Sequence, residues 1–239
     1  MIGSARLIAA ALTLLVVPAT TSPAKPAAKP AAKAPSGARD WTRAFSVTPE
    51  GGFRMGNPKA KITVVEYGSL TCPHCRHFAE TAVKPLIEQY VRTGKASYEY
   101  RSFVLNGIDL AATLVARCGG PAHFFPMASQ LYATQPTWVG KVGDLSREQQ
   151  EKLDALPQGQ LMLAIAKVTG LLPIAAAQGI PRPKAEACLK DEGAANGLMK
   201  MEQAGTSLGV EGTPTFFVNG KKVPAYDWTS LQPFLKGAG

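Results

Sequence analysis

The sequence is poor in cysteine, with four in 239 residues, and none precedes Cys72. A lipid-modified cysteine at the N-terminal signal is therefore excluded. Acidic residues are also missing from this end, where the first one is Asp40. Within residues 1–36 the basic residues supply +4 of the net charge of +9, which leaves +5 for the rest of the chain; they are Arg6, Lys25, Lys29 and Lys33. Since no basic stripe interleaved with aromatic residues is present, nucleic acid is not an expected partner.

The N-terminal apolar run, at residues 7–17, is shorter than the roughly 18 residues that a membrane span requires. Arg6 precedes this run, and the small residues Val17 and Ala19 suit a cleavage after residue 19. The pattern predicts an export signal peptide over residues 1–19. An uncleaved, tilted membrane anchor is the alternative. Residues 20–40, rich in alanine, proline and lysine, are expected to form a flexible linker.

The rest of the chain shows no internal repeat, and its pattern changes from strand to helix and back. Two strands are predicted, one from a β-branched run at 61–67 and one from an alternating segment at 96–103. A helix over 75–92, kinked at Pro85, lies between them and completes a β-α-β unit with parallel strands. An edge strand or a hairpin is expected near 53–55.

Helical patterns dominate the middle of the chain. The predicted segments are 108–118, 122–133, 146–156, 160–168 and 184–189, followed by a last long helix at 191–208 that returns to the sheet. Two strands joined by an Asn-Gly turn, at 215–218 and 221–223, then precede a terminal helix capped by Asp227. The sequence therefore predicts an α/β fold of the order βαβ, helical insertion, ββα. Its expected parts are 41–105, 106–204 and 205–239.

The Cys-Pro-His-Cys motif at 72–75 can switch between dithiol and disulfide without a large rearrangement. Cys72 falls at the junction of strand and helix, where we expect it to be exposed above the edge of the sheet. The helix N-terminus favours the thiolate and lowers its pKa, and His74 adds to this effect if it is protonated or hydrogen-bonded to sulfur. Cys75 is expected to be the shielded resolving thiol, and Pro73 keeps the loop compact.

A Cys-x-x-Cys pair can also form half of a zinc site. The sequence has no second such pair and no suitably spaced Cys/His group, although His74 and His77 lie close by. Arg76 follows Cys75 where haem attachment needs a histidine. Redox catalysis without a metal or a cofactor is therefore the prediction.

Glu66 places a carboxyl group in an otherwise apolar strand, six residues before Cys72. Burial raises the pKa of such a carboxyl, so that Glu66 can relay protons to Cys75. The alternative is a carboxylate that pairs with a lysine or reaches solvent at the end of the strand.

Glu66, the 72–75 motif, the Gly-Thr-Pro-Thr run at 212–215 and the helical insertion have a counterpart in a known family. With them the chain resembles the DsbA-like thiol:disulfide oxidoreductases of the thioredoxin superfamily, over about residues 53–235. The resemblance implies a thioredoxin fold with an inserted helical domain. It also implies that Cys72 is the nucleophile and that Pro214 is a cis-proline, in a loop that packs against the disulfide and can pair with a substrate peptide.

Partners and a second disulfide follow from the same resemblance. It implies a periplasmic oxidase that passes its disulfide to newly exported proteins and is reoxidised by a quinone-linked membrane protein resembling DsbB. Cys118 and Cys188 look like the positions of a structural disulfide found in some relatives. Two buried free thiols are the alternative.

Thr213 departs from the best-known oxidase of the family, in which valine precedes the proline. Threonine there is also typical of disulfide isomerases and reductive members, so such a protein is one alternative. Isomerases usually carry an N-terminal dimerisation domain, and the roughly twenty residues between the linker and the first strand are too few for one, which favours a monomeric oxidase. The alternative from another class is a thioredoxin-fold metal chaperone or holdase.

Overall fold

The computed structural model describes residues 39–238, so the predicted signal peptide and nearly all of the predicted linker lie outside the described residues. Within this range six strands form one sheet in the order β1-β2-β4-β3-β5-β6. The strands are β1 (Phe45–Val47), β2 (Phe53–Gly56), β3 (Ile62–Gly68), β4 (Ala96–Ser102), β5 (Thr215–Val218) and β6 (Lys221–Val223).

The central pair of strands, β3 and β4, is parallel, and every other pair in the sheet is antiparallel. The predicted β-α-β unit is therefore correct. The segment near 53–55 belongs to a hairpin, in which β1 is the edge strand and β2 is paired on both sides. Because β3 has a neighbour on each side, the residues that follow it emerge in the middle of the sheet.

The helix after the Cys-Pro-His-Cys motif is broken, where the sequence predicts one kinked helix over 75–92. Helix α1 (Pro73–Thr81) ends at Ala82, whose φ of −112° departs from the usual helical value of about −63°, and α2 (Val83–Leu86) continues as a π-helical turn at Ile87–Val91. Pro85 explains the break, because its ring clashes with the carbonyl group four residues earlier and it has no N–H to donate. Gly94 follows with a φ of +77°, a conformation that glycine adopts without strain.

The helices of the middle region and the C-terminus are α3 (Gly107–Arg117), α4 (Pro121–Ala133), α5 (Gln135–Gly143), α6 (Arg147–Asp154), α7 (Gln158–Thr169), α8 (Leu171–Ala177), α9 (Arg182–Leu189), α10 (Glu192–Ser207) and α11 (Trp228–Gly237). The sequence did not predict α5 and α8, which are short and contain proline or glycine. Asp227 caps α11 as expected, and Ser146 with Gln149 forms a capping box at α6. In the part of the chain described, no single helix is long and apolar enough to span a membrane; α7 and α8, bent by 75° at their junction, pass that test only together.

Helix α10 crosses the predicted boundary between residues 204 and 205 and packs on the sheet. A Cβ atom placed on Gly205 would lie 2.7 Å from the ring of Tyr67 on β3, so the absence of a side chain permits this close approach. The expected return of this helix to the sheet is therefore correct.

The insertion shares its hydrophobic core with the redox motif. Phe124 of α4 packs edge-on against Phe53 of β2, with ring centroids 5.3 Å apart, and also contacts Tyr100 of β4. Cys72 and Cys75 belong to the same buried cluster as residues of α3, α4 and α7. The insertion therefore covers the sulfur pair.

Candidate active site

Cys72 is the N-cap residue of α1, directly after the loop that leaves β3. Its backbone is extended, with φ of −77° and ψ of 123°, and Pro73 occupies the first helical position, where its missing N–H costs no hydrogen bond. The Sγ atom of Cys72 accepts a hydrogen bond from the backbone N–H of Cys75 at 3.5 Å. The sulfur thus lies where unpaired N–H groups of the helix face outward.

Cys72 is less accessible than the sequence analysis expected, with only 6% of its surface exposed. The expectation of an exposed thiol above the sheet edge is therefore wrong. The loop before β5 covers the sulfur, because the carbonyl oxygen of Thr213 lies 3.1 Å from Sγ and accepts the hydrogen of the thiol. This contact joins residues 141 positions apart in the chain.

The pKa of Cys72 is lowered to about 5 by hydrogen bonds to its sulfur, which outweigh the opposing effect of burial. The thiol of Cys75 has the largest effect, followed by the side chain of Thr213 and the backbone N–H groups of Cys75 and His74. His74 therefore acts through its backbone, and its imidazole, which is exposed, makes no hydrogen bond to the sulfur. The expected role of the imidazole has no support in this geometry.

Cys75 differs from Cys72 in the direction of its pKa shift, although both thiols are buried. It is completely buried, and burial raises its pKa well above the usual value, with further increases from Cys72 and from the charge of Glu66. The pair therefore combines one sulfur that ionises readily with one that holds its proton. This asymmetry agrees with the predicted assignment of a nucleophilic and a shielded thiol.

The Thr213–Pro214 peptide bond is cis, and it lies directly before β5. Strand β5 pairs with β3 in the register Tyr67 to Thr215, which brings this loop beside the end of β3 and hence beside Cys72. The hydroxyl oxygen of Thr213 is buried and has no hydrogen-bond partner within residues 39–238 while Cys72 is a thiol, so its hydrogen bond to the sulfur belongs to the thiolate state. The Thr213 hydroxyl can therefore donate a hydrogen bond to the Cys72 thiolate. The thiolate forms when the thiol loses the proton that it donates to the Thr213 carbonyl.

Glu66 lies on β3 with 1% of its surface exposed, and the phenol of Tyr98 on β4 donates a hydrogen bond to it. Burial raises the pKa of Glu66 to about 8, partly opposed by the Tyr98 hydrogen bond. A lysine partner or a position open to solvent, the alternative for this residue, is therefore wrong. Glu66 and Cys75 make no direct hydrogen bond, but the charge of the carboxylate raises the pKa of the Cys75 thiol.

Known proteins are similar to this chain in sequence and in fold. A family model described as Thioredoxin matches residues 48–237. The crystal structure of a protein-disulfide isomerase from Novosphingobium aromaticivorans superposes with a TM-score of 0.72 at 31% sequence identity, covering 77% of this chain and 95% of that one. The chain belongs to the DsbA-like proteins of the thioredoxin superfamily.

Relatives in sequence carry the name protein-disulfide oxidoreductase. One from Rickettsia bellii is 29% identical over 82% of this chain and 69% of its own, and one from Rickettsia prowazekii is 31% identical over 72% of this chain. This DsbA-like chain spans 56% of the Rickettsia prowazekii protein. Wolbachia pipientis alpha-DsbA1, with a TM-score of 0.64 and 22% identity over 80% of this chain and 92% of its own, shares the fold. The predicted α/β thioredoxin fold with a helical insertion is confirmed.

The loop before Cys72 in this DsbA-like protein is held by residues that the sequence analysis missed. The buried carboxyl of Asp109, on α3, accepts hydrogen bonds from the backbone N–H groups of Leu70 and Leu105 at 2.9 and 3.0 Å. Gln135, at the start of α5, donates to the carbonyl oxygens of Leu70 and Cys72. The sequence held a signal for each of these two residues. Asp109 is an ionisable residue in an otherwise apolar helix, and Gln135 directly precedes a proline, which is typical of the first turn of a helix.

Cys118 and Cys188 form a disulfide with a Cα–Cα distance of 5.8 Å, as the resemblance implies. It joins the end of α3 to α9, so it links two helices of the insertion. The alternative of two free thiols is wrong. Within residues 39–238, no group of three or more His, Cys, Asp or Glu side chains is arranged to hold a metal ion.

Proposed function

We propose that this protein is an exported thiol:disulfide oxidoreductase that transfers its Cys72–Cys75 disulfide to reduced, newly exported proteins. A substrate thiolate attacks Sγ of Cys72 and forms a mixed disulfide, while the Cys72–Cys75 bond breaks and Cys75 leaves with the electron pair and takes up a proton. A second substrate thiolate then attacks the substrate sulfur of the mixed disulfide. The substrate leaves with a disulfide, and the protein keeps two electrons as reduced Cys72 and Cys75.

The observation that carries this proposal is the opposite shift of the two thiol pKa values. With a pKa lowered to about 5, Cys72 is a good leaving group in the second step, because thiols of low pKa leave faster. The stable thiolate also favours the reduced protein, which makes the disulfide a stronger oxidant. Each unit by which the pKa is lowered corresponds to about 1.4 kcal/mol.

Glu66 supplies the proton that Cys75 needs when it leaves. A carboxyl group with a pKa near 8 is largely protonated at neutral pH, so it can donate a proton in a step that produces a buried thiolate. No direct hydrogen bond joins the two groups, so a water molecule between them is part of this proposal. The backbone of the Thr213–Pro214 loop, beside Sγ, suits pairing with an extended segment of the substrate.

Location and partners belong to the same proposal. A leader with the features of a signal peptide supports export to the periplasm, and a structural disulfide at Cys118–Cys188 suits an oxidising compartment. A monomeric oxidase there requires a partner that accepts two electrons from reduced Cys72 and Cys75. A quinone-linked membrane protein resembling DsbB meets that requirement.

A second candidate function is disulfide isomerisation or reduction. Two observations favour it: threonine precedes the cis-proline, and the similar structure from Novosphingobium aromaticivorans is named a protein-disulfide isomerase. An isomerase acts as the reduced thiolate on a wrongly paired substrate, whereas an oxidase acts as the disulfide on a reduced one. The reduction potential separates the two.

The test is to mix stoichiometric oxidised protein with a reduced two-cysteine peptide. We expect a disulfide in the peptide and two free thiols in the protein. Cys72→Ala is expected to abolish this reaction. Cys75→Ala, preloaded with a small disulfide reagent at Cys72, should exchange to a stable mixed disulfide with a one-cysteine peptide. Rapid repair of a wrongly paired substrate, with negligible oxidation of the reduced peptide, would reject the oxidase in favour of the isomerase.

A further inference from the structure

The carbonyl oxygens of the loop between β3 and α1 are held by side chains from the helical insertion. The hydroxyl of Tyr132 donates to the carbonyl oxygen of Ser69 at 3.1 Å. The amide nitrogen of Gln135 donates to the carbonyl oxygens of Leu70 at 2.8 Å and of Cys72 at 3.0 Å. One neutral amide group therefore uses both of its hydrogens on the backbone that carries the nucleophilic sulfur.

Gln135 is firmly placed for this task. Only 4% of its surface is exposed, and it is the first residue of α5, with Pro136 next to it. Helix α5 is itself anchored by Trp138, a buried residue whose indole N–H donates to the carbonyl oxygen of Leu131 on α4 at 2.8 Å. The amide therefore cannot follow the loop if the loop moves, and it restricts the loop instead.

We propose that Gln135 is a positioning residue that increases the acidity of Cys72, and hence the oxidising strength of the pair, by fixing the backbone of the redox loop. This inference rests on the proposed function. It assigns to the insertion a part in the redox chemistry, because the residue that controls the loop lies on α5 and outside the strands and helix that carry the sulfur pair.

Two physical effects give the direction of the change. A carbonyl oxygen near the sulfur presents partial negative charge to the thiolate, and each N–H that binds this oxygen offsets part of that charge. The carbonyl of Cys72 accepts from Gln135 and also from the backbone N–H of Arg76 at 3.1 Å. The second effect is geometric, because a fixed Cys72 keeps its sulfur in reach of the Cys75 N–H at the helix N-terminus.

Other charged and titratable groups around the sulfur are unchanged when Gln135 is replaced. They are Glu66 on β3, His74 and Cys75 on α1, Asp109 on α3, Tyr98 and Tyr100 on β4, and Tyr132 on α4. Because Gln135 is neutral, its removal changes no charge. A shift in the Cys72 titration therefore reports on the hydrogen bonds of the amide.

The experiment compares wild type with Gln135→Met, an unbranched side chain of similar length that cannot donate. The thiolate of the reduced protein is titrated by its ultraviolet absorbance, and the Cys72–Cys75 pair is equilibrated with glutathione. We expect the pKa of Cys72 to rise by about 0.5 to 1 unit, the size of one or two lost hydrogen bonds. The equilibrium constant for oxidation of glutathione should fall by roughly 3-fold to 10-fold for the same reason.

Gln135→Glu keeps the shape of the side chain and serves if the methionine variant does not fold. Because position 135 is buried and faces two carbonyl oxygens, the carboxyl group should keep its proton, and its single O–H can donate to only one of them. The pKa of Cys72 should therefore rise by about 0.5 unit, the size of one lost hydrogen bond. Thr169→Val is the matched control, because it removes a buried hydrogen bond to the carbonyl oxygen of Ile165 within α7 of the insertion, without removing one from the loop or from α5. It should lose stability and keep the wild-type titration.

The outcomes are distinguishable. If both Gln135 variants keep the wild-type pKa of Cys72 and an equilibrium constant within about twofold, or if Thr169→Val shifts them equally, Gln135 has only a structural role and this inference is wrong. If wild-type Cys72 itself titrates near the usual value of about 8.5, the proposed function fails and the inference fails with it. A low wild-type pKa together with a raised pKa in the Gln135 variants supports both.

Discussion

The phenol of Tyr98 on β4 donates a hydrogen bond to the buried carboxyl group of Glu66 on β3. These strands are parallel neighbours, and Glu66 stands opposite Tyr100, so the phenol reaches the carboxyl diagonally. A single donor does not replace the water that an ionised carboxylate loses on burial. The carboxyl group therefore keeps its proton up to a pH of about 8.

Glu66→Gln is expected to change the pH dependence of stability. The pKa of Glu66 is higher in the folded protein than its usual value of about 4.3. Its contribution to the free energy of unfolding is therefore complete below about pH 4.3, decreases as the pH rises, and is lost once the pH passes about 8. The variant keeps a neutral side chain throughout. The difference in free energy of unfolding should therefore grow in favour of the variant between pH 4 and pH 8, reaching a few kcal/mol.

Glu88→Gln is the control, because Glu88 is exposed on the π-helical turn after α2. Its free energy of unfolding should follow wild type at every pH. Tyr98→Phe removes the donor, which should raise the pKa of Glu66 further and extend the pH window upward. Denaturant titrations of the four proteins at a series of pH values supply the comparison. A constant difference between Glu66→Gln and wild type would show that Glu66 does not titrate in this range.

Local signals were enough for the strands and for the redox motif, but not for how deeply the motif is buried. The run that became β3 is rich in β-branched residues, and the Asn-Gly turn between β5 and β6 has few other conformations. Such patterns act over a few residues. Contact between Cys72 and Thr213 joins positions 141 residues apart, and no local pattern reports it.

The roles of side chains were harder to predict than their positions. His74 is adjacent to the nucleophile in sequence, yet its ring is exposed and only its backbone N–H acts on the sulfur. Gln135 is 63 residues away from Cys72 and contacts its carbonyl oxygen. The orientation of the helices decides both cases. Helix α1 places the ring of His74 in solvent, whereas the start of α5 places the amide of Gln135 against the redox loop. The helix break at Ala82 has a local cause in Pro85, which explains why a disturbance was predicted there although its form was not.

The thiolate of Cys72 should make the reduced protein less stable in acid. Because its folded pKa of about 5 lies below the usual value of about 8.5, its contribution is complete above pH 8.5, declines as the pH falls, and is absent below about pH 5. Reduced wild type should therefore exceed reduced Cys72→Ser in free energy of unfolding by an amount that increases from pH 5 to pH 8.5. Both proteins contain Glu66, so most of its opposite contribution cancels in the difference between them.

Titrating the thiolate absorbance checks which of the two sulfurs is the acidic one. Thiolate absorbance of reduced wild type should appear with a midpoint near pH 5, and Cys72→Ser should show none at that pH, because the pKa of Cys75 is raised by burial. A midpoint that persists in Cys72→Ser would assign the acidic thiol to Cys75 and would reverse the proposed roles of the two sulfurs.

Removing the second disulfide should separate stability from redox chemistry. The Cys118–Cys188 bond spans 70 residues of chain, and bridges over such loops stabilise by roughly 2–4 kcal/mol through their constraint on the unfolded state. The double variant Cys118→Ala, Cys188→Ala leaves no unpaired thiol at these two positions. Its free energy of unfolding should be lower than that of wild type by an amount of that size. Peptide oxidation should be retained below the new unfolding temperature, because neither residue contacts Cys72 or its loop. Native stability combined with a loss of turnover would contradict this division and would give the bridge a direct part in the reaction.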